Sequence, residues 1–283
     1  MSVPDSGGTR AGTIILVGCG QMGTAMLRGW VAREAAEHFI VVEPAGMPDL
    51  RFTSGGPPKA AIAWHRSADE LPAELAPDAI VFAVKPQAMD DVLPPYRRWV
   101  RPQTLFMSIA AGKTIAGLAR HLGDDAAIIR CMPNTPAAIG RAITVACPNR
   151  RVGDKQRRLC DALLSAIGES AWVEDEALMD AVTAVSGSGP AYVFLLIEAL
   201  AASGVRVGLD PDLALRLARA TVAGAGELAQ LSPEMPARLR ENVTSPGGTT
   251  RAALDILMGE HGMAELLERA VAAATVRSRE LAN

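Results

Sequence analysis

Thr13-Ile14-Ile15-Leu16-Val17-Gly18-Cys19-Gly20-Gln21-Met22-Gly23 decides the fold. A β-branched apolar run feeding three spaced glycines, with a helix-compatible segment behind them, is the sequence form of a dinucleotide-binding turn. Each glycine answers a separate demand: Gly18 the tight turn, Gly20 the approach of backbone to a pyrophosphate, Gly23 the close packing of helix on strand. The anion is expected on the helix N-terminus, where unpaired N–H groups and the macrodipole favour negative charge. About twenty residues past Gly23 a second apolar run, Phe39-Ile40-Val41-Val42, ends in Glu43. This fold sets there the acid that grips the adenosine ribose hydroxyls. A carboxylate in that place repels a 2'-phosphate, so the sequence predicts NADH in preference to NADPH.

Outward from this stretch, short apolar runs recur at 61–64, 79–84, 104–109, 127–132 and 143–146, with helix-compatible segments at 67–75, 87–96, 114–122 and 154–167. Strands alternating with helices predict an α/β architecture, a Rossmann-type mostly parallel sheet with helices on both faces. Residues 47–59, rich in Pro and Gly, read as a loop at the adenosine end of the cofactor or as a plain surface connection. The alternation stops near Val173, and from Asp175 onward only helical periodicity remains. The expected organisation is a loose polar tail over 1–12, a dinucleotide-binding domain over 13–173 and an all-helical domain over 174–283. Within the latter, Tyr192-Val193-Phe194-Leu195-Leu196-Ile197 is apolar on every face, the mark of a helix buried all round. A helical domain of about 110 residues struggles to bury such a helix alone. Burial against a second copy of the chain is therefore expected.

The chain has 283 residues, 49% apolar and 21% charged, with a net charge of -3. That balance carries no basic signature of nucleic-acid binding. Cys19, Cys131, Cys147 and Cys160 share no C-x-x-C spacing and no nearby histidine, so neither a zinc site nor a disulfide framework is suggested, and a reducing cytoplasm fits. The N-terminus lacks the apolar core of a signal peptide. The most apolar long segment, 191–202, contains Glu198 and reads as too short to span a bilayer. A soluble protein with no membrane association and no metal is expected.

Several further stretches are candidates for chemistry. Ala83-Val84-Lys85-Pro86 falls at the carboxyl end of a predicted strand, where open sheets bind ligands, although Lys85 could equally answer Asp90 and Asp91. Ile109-Ala110-Ala111 ends the next strand in small residues, as a wall beside a cofactor would. In Arg130-Cys131-Met132-Pro133-Asn134-Thr135-Pro136 two prolines fix the backbone around Asn134, whose carboxamide can donate and accept at a nicotinamide. Ser186-Gly187-Ser188-Gly189-Pro190 interrupts a helical pattern, and its glycines let a ligand or another backbone come close, so Ser188 is a candidate substrate contact, with a plain helix–helix kink capped by Ser188 as the alternative. Ser245-Pro246-Gly247-Gly248-Thr249-Thr250 can form an anion-binding concavity at a helix start, suited to a small carboxylate. His38, His65, His121 and His261 lie outside these motifs, and no nucleophile elbow or H-E-x-x-H is present, so the reaction should need little acid–base machinery.

Taken together, these motifs resemble pyrroline-5-carboxylate reductases, which form L-proline from 1-pyrroline-5-carboxylate with NAD(P)H. The run 181–192 together with 245–250 is far more specific than the glycine fingerprint, and the resemblance extends from Ile14 to Leu281. It implies that Gly18, Cys19, Gly20, Gln21, Met22 and Gly23, with Ala83, Val84, Lys85, Pro86, Ile109, Ala110, Ala111 and Asn242, contact the cofactor. It further implies that Glu176, Thr249 and Thr250 lie near substrate, with the backbone from Gly248 to Thr250 holding the carboxylate and the Thr250 hydroxyl facing the ring nitrogen. Homodimers through the helical domain, assembled into larger rings such as a decamer, are implied as well. The chain departs from the family at Gly140-Arg141-Ala142, where Gly-Glu-Gly is usual, and at Glu43-Pro44, where many members carry Ser, Asn or Arg for NADP. A 3-hydroxyacid dehydrogenase has a similar plan but needs a lysine in the long interdomain helix, and no lysine follows Lys155. A catalytically silent NAD sensor has no use for the carboxylate concavity.

Overall fold

The computed structural model describes residues 11–46 and 59–282. Residues 1–10 of the tail expected over 1–12, and most of the Pro/Gly-rich loop, fall outside them; Ala11 and Gly12, expected in the tail, already belong to the first strand. The elements follow in order as β1 (Ala11–Val17), α1 (Gln21–Ala32), β2 (Ala36–Val42), β3 (Ala61–His65), β4 (Ala79–Phe82), α2 (Met89–Val92), β5 (Leu105–Ser108), α3 (Ile115–Leu122), β6 (Ala127–Met132), β7 (Ala142–Pro148), α4 (Asp154–Ser165) and β8 (Gly168–Trp172). Helices α5 (Met179–Val182), α6 (Gly189–Arg206), α7 (Pro211–Leu231), α8 (Pro236–Asn242), α9 (Thr249–Leu257) and α10 (Met263–Ala282) complete the chain.

The strands form one sheet in the order β3-β2-β1-β4-β5-β6-β7-β8. Every neighbouring pair is parallel except β6 with β7, which is antiparallel. Alternate residues serve opposite faces. Ile14, Leu16, Phe39, Val41 and Val81 pack with Trp30 and Leu163 on one side. Ile15, Val17, Ile80, Phe82 and Phe106 pack with Tyr96, Trp99 and Leu118 on the other. Both faces are covered, which is why these strands read as unbroken apolar runs. The Trp30 indole N–H donates to the Leu163 carbonyl at 2.9 Å, tying α1 to α4. Strand order reverses between β1 and β4, and their carboxyl ends open the crevice where such sheets take ligands.

Two segments expected to be helical are shorter than their patterns. The 67–75 stretch holds only a 3-10 turn at Ala68–Glu70, and 87–96 breaks into short turns around α2 because Pro94 and Pro95 lack the N–H a continuing helix needs.

The chain divides into two compact units, Met1–Gly187 with Thr275–Asn283, and Ser188–Ala274. The division lies beyond the expected break near Val173, because Met179 and Ala184 are buried in the sheet unit. A π-turn at Thr183–Gly187 joins α5 to α6. A β-carbon at Gly187 would meet the flexible end of the Met132 side chain, which places this turn against the end of β6. In the second unit α6 and α7 pack together, with the Gly204 backbone close to Ala214.

The helix from Glu176 to Arg206 runs 31 residues and is long and apolar enough to cross a membrane by length and composition. This corrects the expectation that the apolar stretch is too short, because the sequence pattern hid the continuity across the π-turn. Within a single chain α6 has no buried residue; Phe194 is 57% exposed and Leu195 63%.

Candidate active site

The glycine-rich turn differs at each of its three glycines. Gly18 has φ +86°, and a β-carbon there would sit 2.7 Å from Val84 and 2.9 Å from the Ala83 carbonyl group. At Gly23 a β-carbon would run into the Gly18 carbonyl oxygen, so α1 can lie against the turn only without a side chain there. Gly20 faces open space, with nothing within 4 Å of the position a β-carbon would take. Gly20 also caps α1 without a side-chain hydrogen bond, so no side chain of the cap satisfies the first N–H groups of the helix. A bare, open helix start of this kind fits a pyrophosphate.

The turn borders a cleft of about 510 Å³ whose lining includes Gly18, Gly20, Glu43, Ala83, Val84 and Lys85. Glu43 does more than face this cleft. One carboxylate oxygen accepts the Cys19 N–H at 2.8 Å and the other accepts the Ala45 N–H at 3.1 Å, so the acid holds the turn in shape. A carboxylate offers about four lone-pair sites, which leaves capacity for ribose hydroxyls. Lys85 makes no ion pair among the described residues. Asp90, its suspected partner, instead pairs with Lys113 at 2.8 Å and lies 3.3 Å from His121. The Lys113 ammonium holds the Asp90 carboxyl below its usual range. Pro86 starts the 3-10 turn that follows Lys85. Gln21 and Met22 border a second hollow of about 560 Å³ shared with Thr24, Arg28 and Thr135.

Ile109, Ala110 and Ala111 follow β5 directly; the Ile109 N–H donates to the Phe82 carbonyl at 3.0 Å and Ala110 is buried. Asn134 turns its carboxamide inward: Oδ1 accepts the Ile143 N–H at 3.1 Å and Nδ2 donates to Ser186 Oγ at 3.3 Å. It thereby binds the end of β6 to β7 and to the π-turn, a role its proline-flanked sequence did not announce. Glu176 Oε1 accepts from Arg130 Nη1 at 3.0 Å and from the Ile115 N–H at 2.8 Å. Arg130 is only 4% exposed, so Glu176 neutralises a buried charge and ties the start of α3 to β6.

All four cysteines are buried and free. Burial raises the Cys19 thiol above its ordinary value and pushes the Cys147 thiol up to about 11, so both stay protonated near neutrality. Among the described residues no group of His, Cys, Asp or Glu is placed to hold a metal.

The second unit carries Ser188, Asn242, Gly248, Thr249 and Thr250. Ser188 precedes α6 without a side-chain capping bond. Asn242 ends α8, its Nδ2 donating to Glu234 Oε2 at 3.0 Å. Glu234 was missed by the sequence reading, since nothing about its spacing marks it as a partner of Asn242. Gly247 takes φ +69°, the Gly248 N–H donates to the Ser245 carbonyl at 3.1 Å, and α9 begins at Thr249. Gly248 caps α9 without a side-chain hydrogen bond, so this helix start too is free to receive a carboxylate.

Residues 176–281 match the family model for pyrroline-5-carboxylate reductase dimerisation, and residues 13–112 match that for NADP oxidoreductase, coenzyme F420-dependent. A pyrroline-5-carboxylate reductase of Pseudomonas aeruginosa is 40% identical over 276 residues, 95% of this chain and 96% of that one. One of Pisum sativum is 44% identical over 271 residues, with the same two shares. Among solved structures, a pyrroline-5-carboxylate reductase from Coxiella burnetii superposes with a TM-score of 0.85 at 30% identity, covering 95% of this chain and 98% of that one. The Plasmodium falciparum pyrroline carboxylate reductase with NADP bound gives 0.81 at 29% identity, covering 96% and 98%. With an open glycine turn, a bare helix start after Gly247-Gly248 and relatives aligned over nearly their whole length, the chain belongs to the pyrroline-5-carboxylate reductase family.

Proposed function

We infer that this chain reduces 1-pyrroline-5-carboxylate to L-proline, taking the hydride from NAD(P)H. The observation that carries the reading is the pair of uncapped helix starts, one at Gly20 for a pyrophosphate and one at Gly248 for a small carboxylate. The bound nicotinamide supplies a hydride to the ring carbon of the C=N bond, whose electron pair moves onto nitrogen. The ring nitrogen gains its proton before binding, so the imine is already electrophilic. What the residues then contribute is position, with the reacting carbons brought to about 3 to 3.5 Å.

Gly18 and Gly23 set the turn, Gly20 leaves its face open, and Glu43 fixes the Cys19 N–H while offering acceptors to the ribose. That carboxylate is the group that favours NADH over NADPH, and steady-state kinetics with both cofactors read the preference. Cys19, Gln21 and Met22, with Ala83, Val84, Lys85 and Pro86, form the cofactor-side surface of the sheet unit, and Ile109, Ala110, Ala111 and Asn134 complete it; Asn242 of the helical unit is a cofactor contact by the family resemblance. Ser188, Glu176 and Thr249 belong to the substrate side. The N–H groups that follow Gly248 hold the substrate carboxylate, and the Thr250 hydroxyl hydrogen-bonds the ring nitrogen. Thr250→Val should lower kcat/KM for the imine about tenfold or more while leaving the NADH dissociation constant within about twofold. Unchanged kcat and KM in that variant would remove Thr250 from the mechanism.

The exposed apolar faces of α6 and the match to a dimerisation domain support a homodimer as the working form. Rings of dimers such as a decamer follow from the family resemblance, and light scattering reads that mass. The four reduced cysteines fit a cytoplasmic location.

A further inference from the structure

One cation in the cofactor cleft has no assigned task. Arg66 leaves the end of β3 and lines the cleft beside Glu43. The parallel register pairs Val42 with His65, so Glu43 and Arg66 step off neighbouring strand ends side by side, and the Glu43 N–H donates to the His65 carbonyl at 3.0 Å. Neighbouring strands lie about 4.8 Å apart, well within the reach of an arginine side chain.

Among the described residues, the acids around Arg66 are engaged elsewhere or form no ion pair with it. Glu43 spends both oxygens on the Cys19 and Ala45 N–H groups. Glu70 Oε2 accepts the backbone N–H of Arg66 at 3.1 Å and lies 3.5 Å from His65 Nδ1, and does not pair with the guanidinium. Asp69 and Asp91 line the same cleft, as does Lys85, without forming an ion pair with Arg66. The guanidinium rests instead over the Trp64 ring, 5.8 Å from its centroid. The same indole donates its N–H to the Glu43 carbonyl at 2.9 Å. Trp64 therefore fixes the backbone of the acid that favours a bare ribose and seats the cation next to it.

We propose that Arg66, seated on Trp64, accepts the 2'-phosphate of NADPH and so gives this chain use of both nicotinamide cofactors. Arginine suits that task because its planar fork of donors meets phosphate oxygens in pairs. Glu43 and Arg66 then act as opposed specificity residues one strand apart: the acid disfavours a phosphorylated ribose, and the arginine offsets it. The proposal rests on the dinucleotide reading of the cleft.

Isothermal titration of the full chain with 5'-AMP and with adenosine 2',5'-bisphosphate, at low salt, tests it without turnover. Wild type should bind both. Arg66→Ala and Arg66→Gln should each weaken the bisphosphate about tenfold or more while leaving 5'-AMP within about twofold, and Arg66→Lys should restore part of the loss. Equal weakening of both nucleotides would mean that Arg66 contacts the base or the 5'-phosphate and overturns the proposal. No weakening of either overturns it as well. If neither nucleotide binds wild type, the dinucleotide reading of the cleft itself is wrong, and the proposal falls with it.

Discussion

Gly18, Gly20 and Gly23 meet different surroundings, so one kind of substitution has three different costs. Alanine at Gly23 forces its methyl group into the Gly18 carbonyl, and alanine at Gly18 must hold φ +86° against Val84. Gly23→Ala should cost about 1 to 3 kcal/mol in chemical denaturation, the usual range for overpacking. Gly20→Val should denature near the wild-type midpoint yet weaken NADH at least tenfold in a fluorescence titration, because its side chain enters only the space a pyrophosphate would take. A Gly20→Val protein that binds NADH normally would place the pyrophosphate elsewhere. The tight turn at Gly18 and the close packing at Gly23 were legible in the sequence, whereas the approach of Val84 and Ala83 to Gly18, from far along the chain, was not. The inward hydrogen bonds of Glu43 and Asn134 were not, because their partners Cys19 and Ser186 come from distant parts of the chain.

Strands and helices were legible wherever both sheet faces or one helix face are buried. β1 through β6 fall close to their apolar runs, and α3 and α4 to their periodic segments. The antiparallel direction of β7 was illegible, because the apolar pattern of a strand does not encode the hand of its neighbour. The Arg130–Glu176 pair shows the same limit. An arginine inside an apolar strand announces that it needs a partner without naming it. Removing Glu176 strands the buried guanidinium and frees the Ile115 N–H. Glu176→Ala should therefore destabilise by about 3 kcal/mol, the low end for a broken buried pair because Glu176 keeps some exposure. Combining it with Arg130→Met should recover much of that loss in the same denaturation assay. A single variant as stable as wild type would show that the pair does not hold the start of α3.

At the scale of the whole molecule the decisive surface is the apolar side of α6. Val193, Phe194, Leu195, Leu196 and Leu200 are all exposed in one chain, a patch that water tolerates poorly. Phe194→Asp should shift sedimentation from dimer or larger species to monomer and lower the thermal midpoint, and a variant that still sediments as wild type would place the interface elsewhere. The sequence announced this surface by its unbroken apolar run, whereas the length of the helix beneath it emerged only with the π-turn. The other end of the chain carries a separate consequence. Gly112 leaves room for the Leu281 carbonyl, 3.0 Å from where a β-carbon would stand, and Ser278 Oγ donates to Asp180 Oδ1 at 2.7 Å. The sheet unit is thus closed by residues from Thr275 onward, far along the chain from its strand β8 at Gly168–Trp172. A chain cut just before Thr275 would carry all eight described strands and still lack a wall, so the sheet unit cannot close until a segment from beyond the helical unit returns to it.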